Sequence, residues 1–239
     1  MSKPVLAFDI YGTLINVHGV VEQLQSMVGD QAVLFSQTWR DKQLEYAFRR
    51  GLMQNYANFA VCTRDALEYT CQLLKQDLNE QQKQQLLDTY RTLPAFDDVE
   101  PTLQALKDSG IAMFGFSNGS ADAVETLLQH AGIRDYFDGV VSVDDMKSFK
   151  PNPGVYSHFL RQAKAQLESQ GDGQETHVGG HNAWLVSSNP FDVIGAISAG
   201  MRAAWVKRSP DAVFDPWGIE PTVQISNLME LKQALEASE

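Results

Sequence analysis

A chain of 239 residues, 44% hydrophobic and 21% charged, can bury a substantial core and has the composition of an ordinary globular protein, which excludes wholesale disorder and a fibrous class. The formal charge of -11 repels phosphodiester backbones and anionic bilayers, and no long Lys/Arg run offsets it, so neither nucleic acid nor a membrane surface is expected as a partner. The apolar start is short and is interrupted at Asp9, unlike a signal peptide, and no run of about 18 apolar residues follows, so a cytoplasmic location is expected. Cys62 and Cys71 make no disulfide framework and lack zinc-site spacing; both read as thiols packed in a helical region.

In chain order, the apolar run Val5 to Phe8 ends at Asp9 and is soon followed by the breaker Gly12, which predicts a buried strand delivering a carboxylate at its C-terminal end. From about Val20 to Leu93 the strand signal disappears. Leu34, Trp39, Leu44, Ala47 and Phe48, then Ala66, Leu67, Thr70, Leu73 and Leu74, recur at helical spacing, and Asn79 with Gln82 forms a capping-box pattern. This stretch predicts an all-helical insert covering the rim of the sheet.

Helical patterns at 101–108, 121–131, 154–168 and 191–199 then alternate with apolar runs at 111–116, 183–186 and 203–206. The alternation predicts an α/β fold with a doubly wound parallel sheet, whose ligands bind at the carboxyl ends of the strands. The polar clusters at Asp9, Ser117-Asn118 and Ser187-Ser188-Asn189 should therefore converge on one rim. The predicted division is a core of residues 1–15 and 95–239, carrying the site, and a helical cap of residues 16–94. The Gly-rich segment from Gln170 to Asn182 reads as an exposed loop, and its His177 and His181 read as loop histidines rather than a metal pair.

Asp9-Ile10-Tyr11-Gly12-Thr13-Leu14 resembles the first motif of the haloacid dehalogenase superfamily. Ser117-Asn118 is similar to its second motif, Lys150 in Ser148-Phe149-Lys150-Pro151 to its third, and Ser187-Ser188-Asn189-Pro190-Phe191-Asp192 to its fourth. The likeness to the 2-haloacid dehalogenase branch extends through the cap stretch Trp39 to Tyr46 and covers nearly the whole chain. It implies a Rossmann-like core with a helical cap. It further implies a hydrolase in which Asp9 displaces halide from a small 2-haloalkanoic acid, forming an aspartyl ester that water opens to a 2-hydroxy acid, with inversion.

The resemblance implies site residues as well. Thr13 would fix Asp9, Lys150 would pair with it, and Asp192 would orient or deprotonate the water, with Ser187 and Asn189 as hydrogen-bonding neighbours. The backbone amides of Ile10 and Tyr11 with Ser117 would hold the substrate carboxylate, while Arg40 and Asn118 receive the halide. Tyr11, Leu44, Phe59 and Phe191 would form the apolar wall, and Tyr156 would brace the polar network. A homodimer through the cap is the assembly that the resemblance suggests.

Residue chemistry discriminates within the superfamily. Its phosphatases carry a second Asp two residues after the nucleophile to protonate an alkoxide leaving group, and here that position is Tyr11. Halide leaves unprotonated. In the fourth motif Asp192 is the lone acid, a thin oxygen shell for Mg²⁺, so no metal and no cofactor is expected. The alternatives are a phosphatase acting on a small phosphate ester and a non-catalytic small-acid binding protein. Local readings compete too: the Ser and Asn residues at strand ends could only cap helices, Arg40 could form an exposed ion pair, and Tyr156 could pack in the core with its hydroxyl at the surface. Two departures from the branch are Phe191, where Trp is common, and Asp41, where an uncharged residue is common.

Overall fold

The computed structural model describes residues 3–170 and 177–238. Its described residues form six parallel strands, β1 (Val5–Phe8), β2 (Ala112–Ser117), β3 (Gly139–Ser142), β4 (Ala183–Ser187), β5 (Arg202–Val206) and β6 (Val223–Ile225), in the order β3-β2-β1-β4-β5-β6. The helices are α1 (Val20–Val28), α2 (Ala32–Leu52), α3 (Phe59–Leu73), α4 (Glu80–Thr89), α5 (Val99–Asp108), α6 (Ala121–His130), α7 (Pro153–Gln170), α8 (Pro190–Ser198) and α9 (Leu231–Glu236).

Strand alternation explains the layers. On β1, Leu6 and Phe8 face one way and pack with residues of α5, α6 and α9, while Val5 and Ala7 face the other way and pack with α7 and α8. Both faces of the sheet are thus covered by helices, the doubly wound arrangement anticipated from the alternation. Because β2 and β3 lie on one side of β1 and β4 to β6 on the other, the chain reverses direction around β1, and a crevice opens at the carboxyl ends there.

Between β1 and α5 the chain builds only helices α1 to α4, with Asn79 and Gln82 forming the reciprocal capping box at the start of α4. Trp39 is fully buried, donates its indole N–H to the Thr63 carbonyl at 2.8 Å and meets Tyr90 edge-on at 4.7 Å. Leu34 and Leu73, which helical spacing assigned to the apolar stripe, are instead 56% and 53% exposed, and Phe35 takes the buried position on α2. The periodicity fixes a stripe to within a residue, and the covering helix decides which member is buried. Cys62 and Cys71 are buried thiols on α3. No helix among the described residues is long and apolar enough to cross a membrane.

The expected loop 170–182 falls partly outside the described residues. Its end is not a plain exposed loop: Asn182 is buried, accepts the Gly179 amide at 2.9 Å and donates to the His177 carbonyl at 2.8 Å and the Lys3 carbonyl at 3.2 Å, tying the segment to the base of β1. His177 and His181 are exposed and face each other with ring centroids 4.8 Å apart.

Candidate active site

Parallel register brings the polar ends together: Phe8 aligns with Gly115 of β2 and Val186 of β4, so Asp9 emerges between Ser117 and Ser187. Gly12 has φ +86°, a left-handed conformation that costs a residue with a side chain 1 kcal/mol or more, roughly. The turn it permits folds Thr13 back onto Asp9. The two oxygens of Asp9 then differ. Oδ2 accepts three hydrogen bonds, from Asn189 Nδ2 at 2.7 Å, Thr13 Oγ1 at 2.8 Å and Ser187 Oγ at 3.1 Å, whereas Oδ1 accepts one, from Lys150 Nζ at 3.2 Å.

Lys150 is 1% exposed, and its three ammonium protons have three acceptors: Asp192 Oδ2 at 2.7 Å, the Phe116 carbonyl at 2.8 Å and Asp9. Its backbone N–H donates to Asn118 Oδ1 at 2.9 Å, which fixes the loop after β3 against the end of β2. Asp192 is fully buried at the start of α8, and its second oxygen accepts from Tyr156 at 2.8 Å.

One cation between two carboxylates leaves an excess negative charge, and the surroundings decide which acid bears the cost. Burial raises the pKa of both. For Asp9 this is outweighed by Lys150, the Thr13 hydrogen bond and Arg40, so its pKa falls below the ordinary value. For Asp192 burial dominates over Lys150, Asp9 adds repulsion, and the pKa rises to about 6. Lys150, desolvated but facing both acids, has its pKa raised and stays charged. The two carboxylates are therefore poised apart, one shifted towards its ionised form and one able to exchange a proton near neutrality.

From α2, Arg40 reaches the rim and donates to the Tyr11 carbonyl at 3.3 Å; Gln43 Oε1 accepts from it at 2.7 Å, and Gln43 itself donates to Thr63. Phe59 lies 6.2 Å from Tyr11 and 6.4 Å from Phe149, and Leu44 packs in the same cluster. Burial raises the pKa of the Tyr11 hydroxyl to about 12, so it is neutral at physiological pH.

The anticipated residues thus come to one rim, with differences of detail. Ser187 and Asn189 were expected beside Asp192; their side chains bind Asp9 instead. Asn189 occupies the N-cap of α8 yet makes no side-chain cap bond, because its amide is turned to Asp9, so capping alone does not account for it. Tyr156 is fully buried with its hydroxyl inside, which removes the surface reading. Arg40 has no carboxylate partner among the described residues, which removes the exposed ion pair. Ser117 accepts the Gly119 amide at 3.1 Å, and Phe191 sits at the seam, its ring 5.0 Å from that of Phe48.

Two residues escaped sequence reasoning. Gln43 follows Arg40 by three positions on the same helix face, a legible spacing. Arg208, just beyond β5, donates to the Thr13 carbonyl at 3.1 Å and to Asp98 at 2.6 Å, and so holds the turn that carries Thr13; nothing local signals a contact spanning the chain.

A parallel sheet with a buried carboxylate–ammonium cluster at its switch point, roofed by helices, defines a capped α/β hydrolytic enzyme. The chain belongs to the haloacid dehalogenase-like hydrolase family, whose model matches residues 4–200. It is 35% identical over 233 residues to an (S)-2-haloacid dehalogenase from Pseudomonas sp. strain YL, spanning 98% of this chain and 94% of that protein. It is 35% identical over 216 residues to haloacetate dehalogenase H-2 from Moraxella sp. strain B, covering 90% of each. Among solved structures it is similar to the L-2-haloacid dehalogenase from Xanthobacter autotrophicus with chloropropionic acid covalently bound, at 29% identity and a TM-score of 0.82 over 99% of both chains.

Proposed function

We propose that the protein is a 2-haloacid dehalogenase that hydrolyses small 2-haloalkanoic acids to 2-hydroxy acids with inversion, through an ester on Asp9. One observation carries the reading: Asp9 is held ionised beside Lys150 with one oxygen lightly bonded, while the position that would protonate an alkoxide is the neutral Tyr11. Family membership, the dehalogenase relatives and the covalent chloropropionic acid adduct of the Xanthobacter protein support it.

In this reading Oδ1 attacks the carbon bearing halogen from the side opposite the halide, which departs towards Arg40 and Asn118 without needing a proton. The Ile10 and Tyr11 amides with Ser117 receive the substrate carboxylate, and Tyr11, Leu44, Phe59 and Phe191 enclose its carbon chain. Water then attacks the Asp9 carbonyl carbon. Negative charge develops on Oδ2, where Thr13, Ser187 and Asn189 already donate at 2.7–3.1 Å, a preorganised hole for the oxyanion. Asp192, held in place by Tyr156, takes the proton of the water; the Cγ–Oδ1 bond then breaks, Oδ1 leaves as the hydroxyl of the product and receives that proton back from Asp192, and the solvent oxygen stays in the Asp9 carboxyl.

The Lys150 ammonium lies between the two carboxylates and supplies the positive charge there, so we propose chemistry without metal or cofactor. We assign the α/β core to residues 1–15 and 95–239 and the cap to 16–94. The two unbridged thiols suit a reducing cytoplasm, and the exposed Val33, Leu34 and Leu73 suit a homodimer through the cap.

The deciding experiment is halide release from chloro-, bromo- and fluoroacetate and from both enantiomers of 2-chloropropionate, with and without EDTA. Release of halide from at least one 2-haloacid, unaffected by EDTA, is expected. Phosphate release from a small ester that depends on Mg²⁺, without halide release, would establish the phosphatase instead.

The second step should separate from the first in acid. Asp192 works as a base only when ionised, and esterification removes the Asp9 charge that helps raise its pKa to about 6, so ester hydrolysis weakens in acid, below that value, while Asp9, with its lowered pKa, is still alkylated. A burst of one halide per site followed by slow turnover is expected at the acid end of the activity range, read by stopped-flow halide detection. Asp192→Asn should show that burst at every pH and retain a covalent adduct by mass spectrometry. Steady wild-type turnover by this variant would overturn the assignment of Asp192.

A further inference from the structure

A cavity of about 600 Å³ lies beside the catalytic cluster, at the seam of cap and core. Phe48 and Gly51 of α2, Phe149 of the loop after β3, Phe191 and Ile194 of α8, and Trp217 line it. A halogenated three-carbon acid is far smaller than the ligands enclosed by pockets of roughly 300–1,000 Å³. The reaction of such an acid does not account for this volume.

The cavity adjoins the candidate site and shares a wall with it. Lys150, whose Nζ touches Asp9, also lines it, and so does Phe191, the residue before Asp192. Phe149 borders both spaces, facing Phe59 of the apolar wall at 6.4 Å. The partition between site and cavity is therefore made of two aromatic rings and a lysine stem. Its Phe191 ring is only half-buried and meets Phe48 edge-on across the seam. Lys150 is committed to the two carboxylates, so the surface offered to a ligand is apolar, with polar groups such as Asp215 and Asn152 at its rim.

We infer that this cavity is a subsite for the hydrocarbon tail of the substrate, and that the enzyme takes 2-haloalkanoic acids with alkyl or aryl tails longer than a methyl group. The inference rests on the haloacid reading above and names its substrate class. With the carboxylate held at the strand ends and C2 in front of Asp9, a substituent on C2 reaches Phe191, and displacement of that ring admits it to the cavity. The tail then covers Phe149, Ile194 and Trp217 and excludes water from them.

Gly51 provides the test, since a Cβ placed there meets only Phe149 Cδ2, at 3.8 Å, an ordinary contact. Gly51→Leu puts a side chain into the cavity from the last turn of α2, where Leu is a better helix former than Gly. Rates are to be compared over 2-bromopropionate, 2-bromobutanoate, 2-bromohexanoate and 2-bromooctanoate, and binding of propionate and octanoate, which cannot react, by calorimetry. The wild type should favour the hexanoate, whose tail is three methylenes longer, over the propionate by about tenfold or more in kcat/KM, a scale that even one methylene reaches in an apolar pocket. Gly51→Leu should erase that preference, leave 2-bromopropionate within about twofold, and weaken octanoate binding about tenfold.

Equal loss on every chain length, a wild type indifferent to tail length, or octanoate bound no better than propionate would overturn the subsite. A cavity closed by a second copy of the chain would give such indifference. If no bromoacid is turned over, the haloacid reading itself fails, while octanoate binding still reports on the cavity.

Discussion

Asp9→Asn is expected to abolish halide release, lowering kcat/KM on the order of 10⁴-fold or more, the scale seen when a covalent nucleophile is removed. The amide is a poor nucleophile, and its geometry is also wrong for the cluster. Oδ2 faces three donors and Oδ1 faces the Lys150 ammonium. An asparagine must present its NH₂ to one side or the other, donor against donor. The expected cost is about 1–3 kcal/mol, that of unsatisfied buried hydrogen-bonding groups. The fold is retained, because Lys150 keeps Asp192 and the Phe116 carbonyl. Halide assay with a denaturant melt checks both parts, and normal turnover by this variant would refute the nucleophile.

Lys150→Met should damage stability more. The replacement is apolar and of similar length, but it strands two buried carboxylates and leaves the Phe116 carbonyl without its donor. Breaking a buried pair from one side costs about 3–5 kcal/mol. Without the cation the Asp9 pKa must rise, so residual activity should increase with pH rather than level off, and kcat/KM near neutrality should fall by roughly 10²–10³-fold. The double variant Lys150→Met with Asp192→Asn removes the stranded charge along with its partner. It should recover much of the lost stability and none of the activity. A single variant as stable as wild type would show that the ammonium is not what keeps both acids buried.

Much of this was readable in the sequence because chemistry and punctuation coincide. The Val5–Phe8 run ends at a carboxylate and a glycine, and β4 ends at Ser187-Ser188-Asn189, so strand ends and site residues announce one another. The edge strands β3 and β6 were missed. They have four and three residues, too few to show a pattern against polar neighbours. The division of labour around Asp9 was also illegible. That Ser187 and Asn189 serve the nucleophile rather than Asp192 depends on side-chain directions set by the β1–β4 register, between residues nearly 180 positions apart in sequence. The Arg208 clamp on the Thr13 carbonyl has the same origin. The Phe48–Phe191 contact joins the cap to α8 and follows from how the insert seats on the sheet, which helical periodicity does not encode.

The place of β1 in the sheet bears on how the molecule fails. This strand is hydrogen-bonded on both edges, by β2 and β4, and feeds both layers of the core with alternate side chains. Its amides should therefore be among the last to exchange with solvent, opening only with the whole sheet, so that Asp9 is anchored to the part of the molecule expected to hold longest on warming.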